Sequence, residues 1–145
     1  MGYRRLFIVR KDMNLSKGKM SAQIAHCAEA YWTNIMRESF IKTENGYDVN
    51  LHFDKEIVEQ YIQGAFVKTV CQAKNKNQLL KAGDIAKDLG LVEGKDYGFI
   101  YDNCLTELTP EEENGTCLTT FWTAPLPDEI AHAISKKYHL YVDKE

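Results

Sequence analysis

Four residues in this chain have the types and spacing to act on a ligand together: Lys19, Gln23, His26 and Asp102. Lys19, Gln23 and His26 stand at i, i+4 and i+7, so a helix would carry them on one face. Lys19 follows Ser16-Lys17-Gly18, at the start of the helical pattern. There, free backbone N–H groups and the helix dipole already favour an anion. A lysine at this point opposes the dipole, a local cost that points to function. His26 belongs either to this polar face or to a structural role, holding a backbone carbonyl. Asp102 closes an apolar run, where it stands either as a reactive side chain at the carboxyl end of a strand or as a turn initiator.

The surrounding pattern supplies elements to position them. Tyr3 to Arg10 reads as a buried strand, and Lys11 to Gly18 as a polar loop. From Lys19 to about Glu38 the period becomes helical. Met20, Ile24, Cys27, Ala28, Tyr31 and Ile35 fall within an arc of about 100°, a core-facing stripe roughly opposite the polar residues. Residues 39–52, with a turn at Asn45-Gly46, form a loop or short excursion. Asp54 to Gln63 reads as a shorter helix, capped by Asp54 and stopped by Gly64. Strands at 65–71, 97–102 and 116–123, a helix at 75–89 ended by Gly90, and a last helix at 128–137 complete the order. The connection between the last two strands is short and lacks apolar periodicity, so those strands are antiparallel. The fold class is α/β: one domain over residues 1–145, three-layer, with a four-stranded mixed sheet and helices on both faces.

Composition bounds the function. The chain has 145 residues, 44% of them hydrophobic and 27% charged, enough for one core. No apolar run approaches the roughly 20 residues of a membrane helix, and residues 1–10 do not read as a signal peptide. A cytoplasmic protein is the expectation. Cys27, Cys71, Cys104 and Cys117 are scattered, without a Cys-x-x-Cys pair, which argues against a zinc site and, in that compartment, against structural disulfides. Cys104, beside Asp102, is either a reactive or an inert thiol, and the inert reading is the expected one. Although the net charge is −3, residues 1–20 hold Arg4, Arg5, Arg10, Lys11, Lys17 and Lys19 against Asp12 alone. Such a patch is either a solvated face or a phosphate-binding one. Gly18-Lys19 is only weak support for a nucleotide-binding P-loop, since the first glycine of that motif would fall at Met13.

Arg10-Lys11-Asp12-Met13 followed by Gly18-Lys19-Met20-Ser21-Ala22-Gln23-Ile24-Ala25-His26-Cys27-Ala28 resembles the signature of the type II (archaeal and eukaryotic) peptidyl-tRNA hydrolases. Val67-Lys68-Thr69-Val70, Leu89-Gly90-Leu91, Ile100-Tyr101-Asp102, Leu105-Thr106-Glu107-Leu108 and Thr116-Cys117-Leu118 follow the family's order, with residues about 37–58 least matched. The resemblance implies hydrolysis of the ester joining a peptide to the terminal ribose of tRNA, in translation, with no metal and no cofactor, by a homodimer. It implies catalytic roles for Lys19, Asp102, Gln23 and Thr116. Lys19 would face the developing oxyanion or a phosphate, and Asp102 would orient or deprotonate water. Substrate contacts would come from His26, Thr106, Arg10, Lys11 and Lys17, those to phosphate giving affinity rather than sequence choice.

The departures cluster near Asp102. Where the family has Asp-Ala-Gly, this chain has Asp102-Asn103-Cys104, without the turn glycine, and Glu107 replaces a glutamine. Glu111-Glu112-Glu113 would repel a polyanion, and Trp122-Thr123-Ala124-Pro125 replaces Gly-Pro-Ala-Pro. Two other functions stay open: an RNA-binding module of the same fold without hydrolysis, and a protein-interaction domain that uses the acidic loop.

Overall fold

The computed structural model describes residues 2–105 and 108–143. In chain order the elements are β1 (Tyr3–Arg10), α1 (Lys17–Arg37), β2 (Phe40–Lys42), β3 (Tyr47–Val49) and α2 (Lys55–Ile57, continuing as a π-helical turn at Val58–Ala65). β4 (Val67–Ala73), α3 (Lys76–Asp88), β5 (Tyr97–Asp102), β6 (Cys117–Thr123), β7 (Leu126–Pro127), α4 (Asp128–Ser135) and β8 (His139–Leu140) follow.

β1 is the strand on which the rest assembles. It pairs in parallel with β4 and antiparallel with β6. Leu6 and Ile8 face a cluster with Leu79, Ala82 and Ala86 of α3 and Ala131 and Ile134 of α4. Phe7 faces the opposite cluster, with Cys27 and Tyr31 of α1 and Trp122. Both faces of β1 are therefore covered, which explains why its sequence runs apolar instead of alternating.

The main sheet has six strands, where sequence led us to expect four: the order is β5-β6-β1-β4-β8, with β7 also paired to β1. The additions, β7 and β8, are two residues each, too short to carry a readable alternation. The antiparallel pairing of β5 with β6 is as expected. Residues 39–52 contain a separate hairpin, β2 with β3, turning at Asn45-Gly46. Its Phe40, Ile41 and Tyr47 are exposed, so no buried face announced it. Asp54 makes no side-chain capping bond. The helix it precedes widens into the π turn and breaks at Gly64, whose φ of −93° and ψ of −144° are not helical.

Arg5 fastens α1 to this sheet from inside. Only 1% exposed, it donates to Thr123 O at 2.8 Å, Ala28 O at 2.7 Å and Cys27 O at 2.8 Å. Its guanidinium also lies 4.9 Å from the Phe7 ring centroid, so the charge is both hydrogen-bonded and packed on an aromatic ring. Arg5→Ala is expected to lower unfolding free energy by about 3 kcal/mol in urea titration, since charge-assisted bonds and packing are lost together. Arg5→Lys should recover less than half of that, lacking the planar fork. A loss below about 1 kcal/mol in the alanine variant would show the strut to be idle.

Candidate active site

Strand directions bring the polar residues to one edge. β6 runs against both β1 and β5, so β5 points the same way as β1 and β4. The carboxyl ends of these three strands, at Arg10, Ala73 and Asp102, open on the edge where α1 begins. Ser16 caps α1, its hydroxyl accepting from the Lys19 backbone N–H at 3.2 Å. That fixes the first turn and aims the Lys19 and Gln23 side chains toward the end of β5.

They meet at one atom. Lys19 Nζ donates to Asp102 Oδ2 at 2.9 Å, and Gln23 Nε2 donates to the same oxygen at 2.9 Å. The other oxygen, Oδ1, accepts the Cys104 backbone N–H at 2.7 Å. Burial alone would raise the Asp102 pKa. Lys19, the Cys104 N–H and Gln23 outweigh burial and hold the carboxyl below its ordinary value. The lysine and aspartate side chains are only 15% and 9% exposed, so their attraction is weakly screened.

Thr119 completes the chain of contacts, and sequence reading missed it. Its hydroxyl donates to Gln23 Oε1 at 2.6 Å, leaving the Gln23 amide N–H₂ turned toward Asp102. The β5–β6 register explains how it gets there. Ile100 pairs with Thr120 but Tyr101 pairs with Leu118, so Thr119 is an extra residue that bends β6 and re-aims its side chain. The one available signal was a pair of threonines in a strand that is buried throughout.

The turn after β5 closes without glycine. Cys104 itself adopts a φ of 60°, in the left-handed region glycine favours, and its N–H closes the turn on Asp102. Asp102 therefore joins the two readings its sequence position left open, initiating the turn with one oxygen and holding Lys19 with the other.

The remaining expected site residues divide. Arg10 is 4% exposed and pairs with Asp12 at 2.8 Å and Glu111 at 2.7 Å, while also donating to Leu118 O. These bonds take up the guanidinium, making it an internal strut rather than a phosphate contact. The two carboxylates outweigh burial and raise its pKa. Lys11 Nζ bonds Val142 O at 2.5 Å and sits over the Tyr141 ring. Lys17 is exposed at the first position of α1. The Thr116 hydroxyl donates to Asn114 Oδ1 at 2.7 Å, within the acidic loop, and not to Lys19, Gln23 or Asp102. Thr106 lies outside the described residues. The acidic loop is less negative than its sequence suggests, because Glu111 is paired with Arg10 and Glu112 with Lys76.

Asp102 ends a groove of about 540 Å³ whose lining includes His26, Arg37, Gly98, Tyr101 and Trp122. Gly98 is required there. A Cβ at this position would stand 2.6 Å from the Trp122 ring, so only glycine lets the indole lie across β5. His26 is exposed on the groove wall, and no backbone carbonyl holds it among the described residues. Arg37, unremarked in the sequence, adds a cation to that wall.

Comparison with known proteins fits this arrangement. The sequence model described as "Peptidyl-tRNA hydrolase PTH2" matches residues 3–141. The chain belongs to that family. A peptidyl-tRNA hydrolase of Thermococcus onnurineus is 27% identical over 133 residues, 92% of each chain. One of Methanopyrus kandleri is 30% identical over 109 residues, 74% of this chain and 76% of the relative. Among solved structures, a protein of unknown function from Agrobacterium tumefaciens superposes with a TM-score of 0.51 at 9% identity. It covers 98% of this chain and 99% of its own, a likeness of fold alone.

For this PTH2 member, the depressed Asp102 pKa has a sign that can be measured. A carboxyl lowered in the folded state contributes stability above its unfolded pKa of about 3.9, and that stability is lost as pH falls through the folded value. The stability gap between wild type and Asp102→Asn should therefore be full near pH 7 and shrink toward about pH 2, read by urea unfolding. A gap that stays constant over that range would mean the carboxylate is not held as an anion.

Proposed function

We propose that this protein hydrolyses the ester joining a peptide to the terminal ribose of tRNA, in the cytoplasm, as a step of translation, with no metal and no cofactor. The observation that carries the reading is the sharing of Asp102 Oδ2 by Lys19 and Gln23 at the end of an open groove, in a chain that belongs to the PTH2 family. Water adds to the ester carbonyl, the bond to the ribose oxygen breaks, and the water proton ends on the released ribose hydroxyl. Lys19 faces the negative charge that builds on the carbonyl oxygen, an arrangement fixed in advance by its contact with Asp102. With its pKa lowered, Asp102 is a weak base near neutral pH. Its work is to hold Lys19 and orient water rather than to store a proton.

Gln23, locked by Thr119, positions the reacting groups, and Thr116 acts through the loop it ties to Asn114. Lys17 on α1, with His26 and Arg37 along the groove, offers contacts to phosphate and ribose; Lys11 lies at the same edge. Assembly as a homodimer belongs to the same proposal and rests on the family resemblance. The RNA-binding alternative without hydrolysis drew its force from the lost turn glycine and the acidic loop. Cys104 takes up the turn conformation, and Glu111 and Glu112 are paired off, which favours the hydrolase.

Release of a labelled peptide from tRNA tests this reading. Lys19→Ala and Asp102→Ala are each expected to slow release by about 100-fold or more, with circular dichroism unchanged. Equal background rates in wild type and both variants would end the hydrolase reading.

A further inference from the structure

The Cys104 and Cys117 sulfurs stand 3.0 Å apart, and both cysteines are free thiols. A disulfide bond is about 2.0 Å long, so roughly 1 Å of approach separates this contact from a covalent bond. The two ends differ in freedom. Cys117 is fully buried in β6 and pairs with Asp102 in the sheet. Cys104 is half-buried, on the connecting segment, at a φ of 60°. Any approach therefore falls on Cys104, and its N–H is the donor to Asp102 Oδ1. The ester hydrolysis proposed above uses neither thiol.

We propose that Cys104 and Cys117 form a reversible disulfide on reaction with an oxidised low-molecular-weight disulfide, and that closing it draws the Cys104 N–H away from Asp102 and slows hydrolysis. The effect on hydrolysis rests on the function proposed above; the modification site does not. Cys104, as thiolate, attacks one sulfur of the small disulfide and releases one thiol. Cys117 then gives up its proton and attacks Cys104 Sγ, releasing the second thiol. The protein pair is oxidised by two electrons and the small disulfide is reduced to two thiols, so the exchange balances. Burial, reinforced by the contact with Cys104, pushes the Cys117 thiol up to about 12. The more accessible Cys104 therefore reacts first.

The test treats the whole chain with oxidised glutathione and then with dithiothreitol. Mapping should find a Cys104–Cys117 link and the loss of two thiols per chain. In the linked form the Asp102 carboxyl, followed by carbon-13 NMR, should titrate higher than in the reduced form, and peptide release should fall about fivefold or more. Dithiothreitol should reverse both changes. Cys104→Ser, which lacks the attacking thiol, should keep its own release rate within about twofold through the same treatment. Glutathione trapped on Cys104 without a link to Cys117 would overturn the proposal, as would a link that leaves the Asp102 titration unchanged. Mapping and titration need no substrate, so a chain that never releases peptide would sink the hydrolase reading while these two readouts still decide this one.

Discussion

Everything at the site depends on one carboxylate being kept charged where water is scarce. Asp102 is nearly buried, and a buried anion is costly unless its lone pairs are met by donors. Three donors meet them: the Lys19 ammonium, the Gln23 amide and the Cys104 N–H. Two come from successive turns of α1 and one from the turn after β5, so the charge is stable only when α1, β5 and that turn are in register. The same requirement places Lys19. A lysine in the first turn of a helix opposes the dipole, and the Asp102 carboxylate beside that turn offsets the repulsion.

Two interior arginines keep those parts in register. Arg5 ties the middle of α1 to β1 and the end of β6. Arg10 ties the end of β1 to the acidic loop through Glu111. Both are bidentate or better, and both sit in the strand with the most neighbours, so small shifts in α1 or the loop break several charge-assisted bonds at once. Part of the basic character that made the N-terminal region look like a phosphate-binding surface is thus structural. The cations left for a polyanion are more sparsely placed, on Lys17 and along the groove at Arg37.

The long elements were legible because each carries its own period. β1 is an apolar run, α1 has a stripe at 3.6 spacing, and α3 ends at Gly90. Family membership was legible from the segment around Lys19, Gln23 and His26. Contacts that depend on register were not. Thr119 reaches Gln23 only because β6 carries one extra residue against β5, a shift no local pattern reveals. Arg10 looked like a surface cation because Glu111, its partner, is far along the chain. The acidic run looked like free charge for the same reason. Cys104 appeared to spoil a turn that needs glycine, yet the turn forms with Cys104 in the left-handed conformation. β7 and β8 are too short to have a period, and the β2–β3 hairpin lacks a buried face.

The central claim is that Lys19 and Asp102 work as one unit, and a double-mutant cycle on single-turnover peptide release tests it most directly. If the pair is one device, Lys19→Ala combined with Asp102→Asn should release peptide no more than about threefold slower than the worse single variant, because the first substitution already dismantles it. Losses that multiply, each variant acting as though the other residue were still in place, would contradict it.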